Sequence, residues 1–343
     1  MSYSDHTHDR PVVGITLGDF NGVGPEIILK TLSDQRVAKL CIPVVYGQYK
    51  IFARYKKMLQ IEEMSFHSIK HIGELFPKKN NLVTCWEEDF ELQPGKVTAE
   101  AGKCAYLSLK RATDDILSGK LDAIVTAPIN KKNIQNPDFS FVGHTEYLTQ
   151  AAGIEDSLMF MVSEHMRIAL ATAHIPLQQV KHKLTPEWIT NKLNLLHKSL
   201  KNDFAIPKPK IAVLGLNPHA GEDGLLGDEE INIIQPAVNE FKNKGYLVYG
   251  PFPADGFFAS NVFRKYDAIL AMYHDQGLIP FKLTSFDSGV NFTAGLPFVR
   301  TSPDHGTAYD VAGKGIASEN SFRQALFLAI DLVKNKIQSS VAT

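Results

Sequence analysis

Net charge is nearly missing from this chain: 36 Lys and Arg stand against 37 Asp and Glu, leaving −1 over 343 residues. So balanced a sequence gives no support for nucleic acid or an acidic membrane surface as the main partner, and any anion recognition must be local. Cysteine is scarce as well. Cys41, Cys85 and Cys104 are an odd number without a CxxC pair. That argues against a disulfide framework and a thiolate zinc site, and points to free thiols in a reducing cytoplasm. No apolar run approaches the ~18 residues needed to span a bilayer. The first ten residues, MSYSDHTHDR, have no apolar segment of the secretory type. His6 and His8 within them are expected to be disordered rather than ligands. Internal repeats and low-complexity linkers are also lacking.

A single core usually stops growing at ~250–300 residues, so a chain of this length predicts two domains or lobes. With no linker visible, they are expected to exchange chain rather than sit end to end. Apolar strand-like runs alternate with amphipathic helical runs, which predicts a largely parallel α/β architecture. PVVGITLG (Pro11 to Gly18) reads as a buried strand, followed by the glycine loop DFNGVG and a helix with Pro25 in its first turn. Strand, glycine loop and helix can present backbone N–H groups to an anion, but the spacing is not GxGxxG. Further strands are expected at Ile42 to Gly47, Leu121 to Asn130, Ser157 to Ser163, Arg167 to Pro176 and Tyr266 onward. Residues 57–94 read as irregular, residues 288–317 as loop-rich, and the last helix as Ser321 to Val333.

Three histidines share one setting. ALATAH ends at His174, VLGLNPH at His219 and AILAMYH at His274, each after an apolar strand-like run. Strand carboxyl ends are where open α/β sheets place ligands. Neutral imidazoles held there make a divalent site with open positions, better suited to Zn, Co, Ni or Fe than to Ca. Asp255 and Asp275 are the nearby carboxylates. Each could complete the metal shell, orient an imidazole, act as general base, or cap a helix. A second set is anion-directed: His144 with Thr145, then Lys282, Asn291 and Arg300, where Lys and Arg near glycine-rich loops can hold phosphate or carboxylate. The run PDHGTAYDVAGKGIA (Pro303 to Ala317) is rich in small residues that would let a flat cofactor approach the backbone. On its residues alone it is a loop before a helix. Glu222, Asp223 and Asp228 lie near His219 without an assigned role.

These motifs, in order, carry a family resemblance. GDFNGVGPEI, VTAPINK, GHTEYL, ATAHIPL, GLNPHAGEDGLLGDEE, GPFPAD, YHDQGLIPFK and GVNFTAGLPFVRTSPDHGTAYDVAGKG resemble the PdxA family of 4-hydroxythreonine-4-phosphate dehydrogenases over about residues 11–335. The DHGTAYDVAGKGIA segment is also similar to the cofactor loop of isocitrate and isopropylmalate dehydrogenases. Phe20 and Asn21 depart from the GDPAGIGPE often seen in the family, and Ser318 stands where the isopropylmalate enzymes often carry Asn.

The resemblance implies α/β architecture with two α/β/α lobes of isocitrate/isopropylmalate dehydrogenase type and the active site in the cleft between them. One lobe is expected to comprise residues 11–140 with 300–343, the other 141–299. It implies a cytoplasmic homodimer whose metal ligands are His174, His219 and His274, with His274 crossing from the partner subunit. The ion would be Zn, Mg or Co. His144, Thr145, Lys282, Asn291 and Arg300 match substrate-binding positions, and His305, Gly306, Thr307 and Ala308 are the expected cofactor contacts. Asp255 is the candidate proton acceptor. The implied reaction is oxidation of 4-phosphooxy-L-threonine by NAD or NADP at its C3 hydroxyl. The product, 2-amino-3-oxo-4-phosphooxybutanoate, then loses CO2 to give 3-amino-2-oxopropyl phosphate. The competing readings are a paralogous dehydrogenase acting on a phosphorylated sugar acid such as 4-phosphoerythronate, and a transferase of the phosphate acetyltransferase type or a non-catalytic relative.

Overall fold

The computed structural model describes residues 9–341; His6 and His8 lie outside them. In chain order the elements are β1 (Val12–Thr16), α1 (Gly24–Leu32), α2 (Val37–Leu40), β2 (Ile42–Gly47), α3 (Tyr49–Leu59), β3 (Phe66–Ile69), β4 (Asn80–Thr84), α4 (Ala99–Leu117), β5 (Ala123–Thr126) and α5 (His144–Ala151). Then come β6 (Leu158–Val162), β7 (Arg167–Leu170), α6 (Leu177–Lys183), α7 (Pro186–Asn202), β8 (Lys210–Leu214), α8 (Gln235–Asn243), β9 (Leu247–Phe252), α9 (Ala254–Ala259), β10 (Ala268–Ala271), α10 (His274–Ser285) and β11 (Val290–Ala294). The chain finishes with β12 (Val299–Pro303) and α11 (Asn320–Val341).

The chain divides into two compact units. The first runs up to Glu155 and takes in Leu296–Ile337; the second is Asp156–Gly295 with the chain from Gln338. Each unit therefore contains chain from both sides of a crossing. The crossings fall at 155/156 and 295/296 rather than 140/141 and 299/300. Packing gives the reason: Phe139, Leu148, Leu296 and Phe298 share one buried cluster with α4, so α5 belongs to the first unit.

In the first unit the strands run β3-β4-β2-β1-β5-β12, all parallel. Thr98 caps α4 by accepting from the Ala101 N–H, and its apolar spacing Ala105, Leu109, Ala112, Ile116 forms one face. That face packs on Val12, Val44, Tyr46 and Ile124. The alternate residues Val13, Ile15, Val45 and Val125 are also fully buried, so both faces of these strands are covered, as parallel sheets require. β3, β4 and β12 lie where the sequence reads as irregular or loop.

In the second unit the order is β11-β6-β7-β10-β8-β9. β7, β10, β8 and β9 are parallel, whereas β6 pairs antiparallel with both β7 and β11. The β6–β7 connection closes with the Ser163 N–H donating to Met166 O, too short for a parallel crossover. The parallel set matters for the site, because Leu170, Ala271 and Leu214 end neighbouring strands on one edge.

All three cysteines are free. Burial pushes the thiols of Cys41, Cys85 and Cys104 up to about 12, so they are unreactive as nucleophiles near neutral pH. No helix among the described residues is long and apolar enough to cross a membrane.

Candidate active site

The second unit carries the three strand-end histidines. His174 follows β7, His219 follows β8, and His274 is the first residue of α10 after β10. β7 stops at Leu170 rather than continuing to His174. Its neighbour β10 ends at Ala271, and after Thr172 donates to Met272 O the ladder has no further partner. Within one chain the His174 and His274 rings lie 5.9 Å apart between centroids. His274 Nδ1 is 2.7 Å from Asp275 Oδ1, which fixes that ring through one nitrogen and leaves the other as a possible donor to an ion. His219 is two-thirds exposed, with Nδ1 3.9 Å from the Glu222 carboxylate. Among the described residues no group of three or more His, Cys, Asp or Glu converges to hold a metal ion. One chain thus brings two of the three expected ligands together.

His219 sits in an unusual turn. His219, Ala220, Gly221, Glu222 and Asp223 have φ between 45 and 85°, and Gly224 has φ 94°. For L-residues the left-handed helix costs ~1–2 kcal/mol each, so the four non-glycine residues cost about 4–8 kcal/mol. Glu230, buried at 3% exposure, offsets this from the start of a π-helical turn spanning Glu230–Ile234. Its Oε1 accepts from the Leu216 and Asn217 N–H groups, both at 2.7 Å, and its Oε2 from Asn217 Nδ2 at 2.9 Å. Asn217 Nδ2 also donates to Glu229, which pairs with Lys181. An open cavity of about 580 Å³ beside the turn is lined by His219, Glu222, Asp223, Glu230, Gln235 and Pro253. Sequence reading missed Asn217, Glu229 and Glu230. Adjacent acids after a glycine loop read as solvated helix-start charges, and nothing in the pattern marks them as buried.

Asp255 and Asp275 both lie in first helical turns, but Pro253 and Tyr273 occupy the cap positions. The capping alternative is therefore corrected for both. Asp255 is exposed.

In the first unit, His144 opens α5, Thr145 follows it, and Arg300 lies on β12 beside β5. Arg300 is buried, and its Nη2 and Nε donate to Thr126 Oγ1 at 2.7 and 3.2 Å. Burial lowers its guanidinium to about 10 against the pull of Glu146, so it stays cationic at neutral pH. His144 is held well below its usual 6.5, first by burial and then by the positive charges of Arg300 and Lys131. It is therefore a neutral imidazole, and its buried Nε2 has no hydrogen-bond partner. In the second unit, Lys282 lies on α10 and Asn291 on β11; the buried Asn291 Oδ1 likewise lacks a partner.

The run His305 to Ala308 follows β12 and is tied to the amino-terminal glycine loop. The Val23 N–H donates to Thr307 O at 2.9 Å. A Cβ on Gly22 would stand 2.8 Å from that same oxygen, so the approach requires glycine there. Tyr309 Oη donates to the buried Asp19 carboxylate at 2.8 Å. Further on, Lys30 donates to Gly315 O and Ala317 O, and Glu26 accepts from the Ala317 N–H. His305 Nε2 is buried without a partner, and nothing lies within 4 Å of a Cβ built on Gly306. An orphaned ring nitrogen beside an open glycine fits a bound polar cofactor. The Phe20 and Asn21 departures are absorbed locally. Phe20 is fully buried, and Asn21 accepts from the Gln93 N–H while donating to Thr98.

The family described as pyridoxal phosphate biosynthetic protein PdxA matches residues 39–329. A 4-hydroxythreonine-4-phosphate dehydrogenase from Bacteroides thetaiotaomicron is 49% identical over 96% of this chain and 91% of its own length. A relative from Oceanobacillus iheyensis, named provisionally as a D-threonate 4-phosphate dehydrogenase, is 40% identical over 95% of this chain and 99% of its own. The crystal structure of a 4-hydroxythreonine-4-phosphate dehydrogenase from Klebsiella pneumoniae superposes with a TM-score of 0.83 at 38% identity, covering 96% of this chain and 99% of that one. With matches of this extent in sequence and in fold, the chain belongs to the PdxA family.

Proposed function

We propose that this dehydrogenase of the PdxA family oxidises 4-phosphooxy-L-threonine at C3, using NAD or NADP and a divalent cation, in pyridoxal 5'-phosphate biosynthesis. The observation that carries the reading is that three of the buried side-chain polar atoms without a hydrogen-bond partner among the described residues lie on predicted site residues. His144 Nε2, Asn291 Oδ1 and His305 Nε2 all belong to residues that the family motifs assign to substrate or cofactor. Native interiors leave few polar groups unpaired, so such groups point to a ligand.

In the first unit, His144, Thr145 and Arg300 would bind the substrate's anionic and hydroxyl groups; in the second, Lys282 and Asn291 are the proposed substrate contacts. A neutral His144 can accept or donate a hydrogen bond there, and Arg300 supplies a positive charge whose burial strengthens its pull on an anion. His305 to Ala308 would hold the cofactor, which when bound accepts the hydride. His174, His219 and His274 would hold a Zn, Mg or Co ion, which when bound supplies positive charge against negative charge developing on substrate oxygen. Asp275 orients the His274 ring. Asp255 is the proposed proton acceptor for the C3 hydroxyl; its exposure leaves it free to exchange that proton with solvent.

Among the described residues of one chain the three histidines do not converge, which supports a homodimer in which a second copy completes the site. α10 gives a further reason. Its exposed Ile279 and Leu283, with Phe286 just beyond, are 59, 83 and 76% exposed and recur at helical spacing, an apolar stripe that suits burial against a second copy.

The test is NAD reduction with 4-phosphooxy-L-threonine and with 4-phosphoerythronate side by side, before and after chelation. Turnover of the first, lost on chelation and restored by a divalent ion, is expected. Efficient use of phosphoerythronate with none of phosphohydroxythreonine would replace the substrate assignment with a phosphorylated sugar acid, the substrate class in the Oceanobacillus relative's name. Turnover indifferent to chelation would remove the metal.

A further inference from the structure

The three histidines sit on three different strand ends, so something must fix their spacing. Hydrogen bonds run across those ends. At the β7 end, Thr172 Oγ1 donates to Met272 O at 2.7 Å, and the Thr172 N–H donates to the same oxygen at 3.2 Å. Just past β10, the Met272 N–H donates to Gln276 Oε1 at 2.7 Å. The same Gln276 amide donates through Nε2 to Gly215 O, just past β8, at 2.6 Å. Thr172 stands two residues before His174, Met272 two before His274, and Gly215 opens the segment that leads to His219. One side chain thus joins the β10 end to the β8 end, and one peptide unit joins β10 to β7.

The placement of Gln276 is itself constrained. A Cβ on the adjacent Gly277 would stand 2.8 Å from both Ile168 Cγ2 and Leu170 Cδ2, so α10 packs on β7 at a distance that only glycine meets without shifting those side chains. Both amide atoms of Gln276 are used, each on a backbone group that its own strand ladder leaves unserved. No other residue type of this length offers one acceptor and one donor at that reach.

We propose that Gln276 is a positioning residue: its amide braces the β8 and β10 ends and, through the Thr172–Met272 bonds that tie β10 to β7, sets the separation of His219 from His174. The inference rests on the reading of these histidines as a divalent site. Outer-shell groups that orient metal ligands are worth about 10–100-fold in ion affinity, which sets the scale of the effect.

The experiment compares wild type, Gln276→Met, Gln276→Asn and Thr172→Val as full-length protein. Zn or Co affinity is measured by competition with a chelating dye, and amide exchange at Met272 is measured in the metal-free protein. Gln276→Met removes both bonds at nearly constant volume. Ion affinity should fall about 10–100-fold, and Met272 exchange should speed up about tenfold, with cobalt absorption altered and the melting temperature lowered because the Met272 N–H and Gly215 O lose their partners. Gln276→Asn keeps the amide but is one methylene short of spanning both groups, so it should behave like Gln276→Met; it also serves if the methionine variant folds poorly. Thr172→Val leaves the backbone bond to Met272 O and should lose less affinity than either. Unchanged Met272 exchange in the Gln276 variants overturns the brace. Faster exchange with unchanged ion affinity overturns its positioning role. If wild type binds neither ion, the metal reading fails instead, and the exchange comparison still decides the brace.

Discussion

His144 carries the most informative single-residue chemistry in the first unit. Burial, Arg300 and Lys131 depress its folded pKa well below the usual 6.5, while the unfolded chain titrates near 6.5. Between those two values the unfolded state binds the extra proton, so stability falls as pH drops below about 7 and is fully present above it. The melting temperature should therefore decline from pH 7.5 to 5.5, and His144→Gln should flatten part of that slope. An identical slope in the variant would mean that His144 is not buried neutral. At this scale the sequence was informative about identity and poor about environment. His144 and Arg300 stand out by motif, and so do the three strand-end histidines. Glu230 and Gln276 lie inside those motifs too, but their work was not legible, because it depends on burial and on which backbone groups they meet.

At the scale of elements, strong periodicity carried over and weak periodicity did not. The long face of α4 and the apolar runs of β1, β2, β8 and β10 are plain in the sequence. β3, with two exposed residues among its four, lacks the apolar pattern that marks a strand. β11 and β12 are hidden by the polar residues Asn291 and Arg300, proposed substrate contacts placed inside strands. The left-handed turn at His219 was the least legible element, since glycine-rich composition predicts a loop but not its hand. Its clamp can be tested. Glu230→Ala leaves the Leu216 and Asn217 N–H groups without their acceptor, at ~1–3 kcal/mol for each buried group left unmade. Denaturant unfolding should show a loss of roughly 2–6 kcal/mol with little change in far-UV dichroism. A loss below ~0.5 kcal/mol, the range of ordinary surface changes, would mean that the turn is held by something else.

At the scale of the whole molecule, the proposed homodimer allows two arrangements, with either His274 or His219 supplied by the partner subunit. The family motifs imply His274, and the apolar stripe on α10, which His274 opens, agrees. Yet His174 and His274 are ring neighbours within one chain, which suits a pair acting together with His219 arriving from the partner. Subunit mixing separates the two arrangements. His174→Ala and His274→Ala homodimers should each be inactive. If His274 crosses, a mixed dimer contains one site built from the His174 and His219 of one subunit and the His274 of the other, and up to half the wild-type activity per such dimer should return. If the two rings serve one site from one chain, neither subunit in that mixture has both, and no activity returns however well the subunits exchange. Mixing His219→Ala with His274→Ala gives one intact site under either arrangement, so it verifies exchange without deciding the question. We expect recovery in both mixtures; recovery only in the second would assign His174 and His274 to the same chain and make His219 the shared ligand.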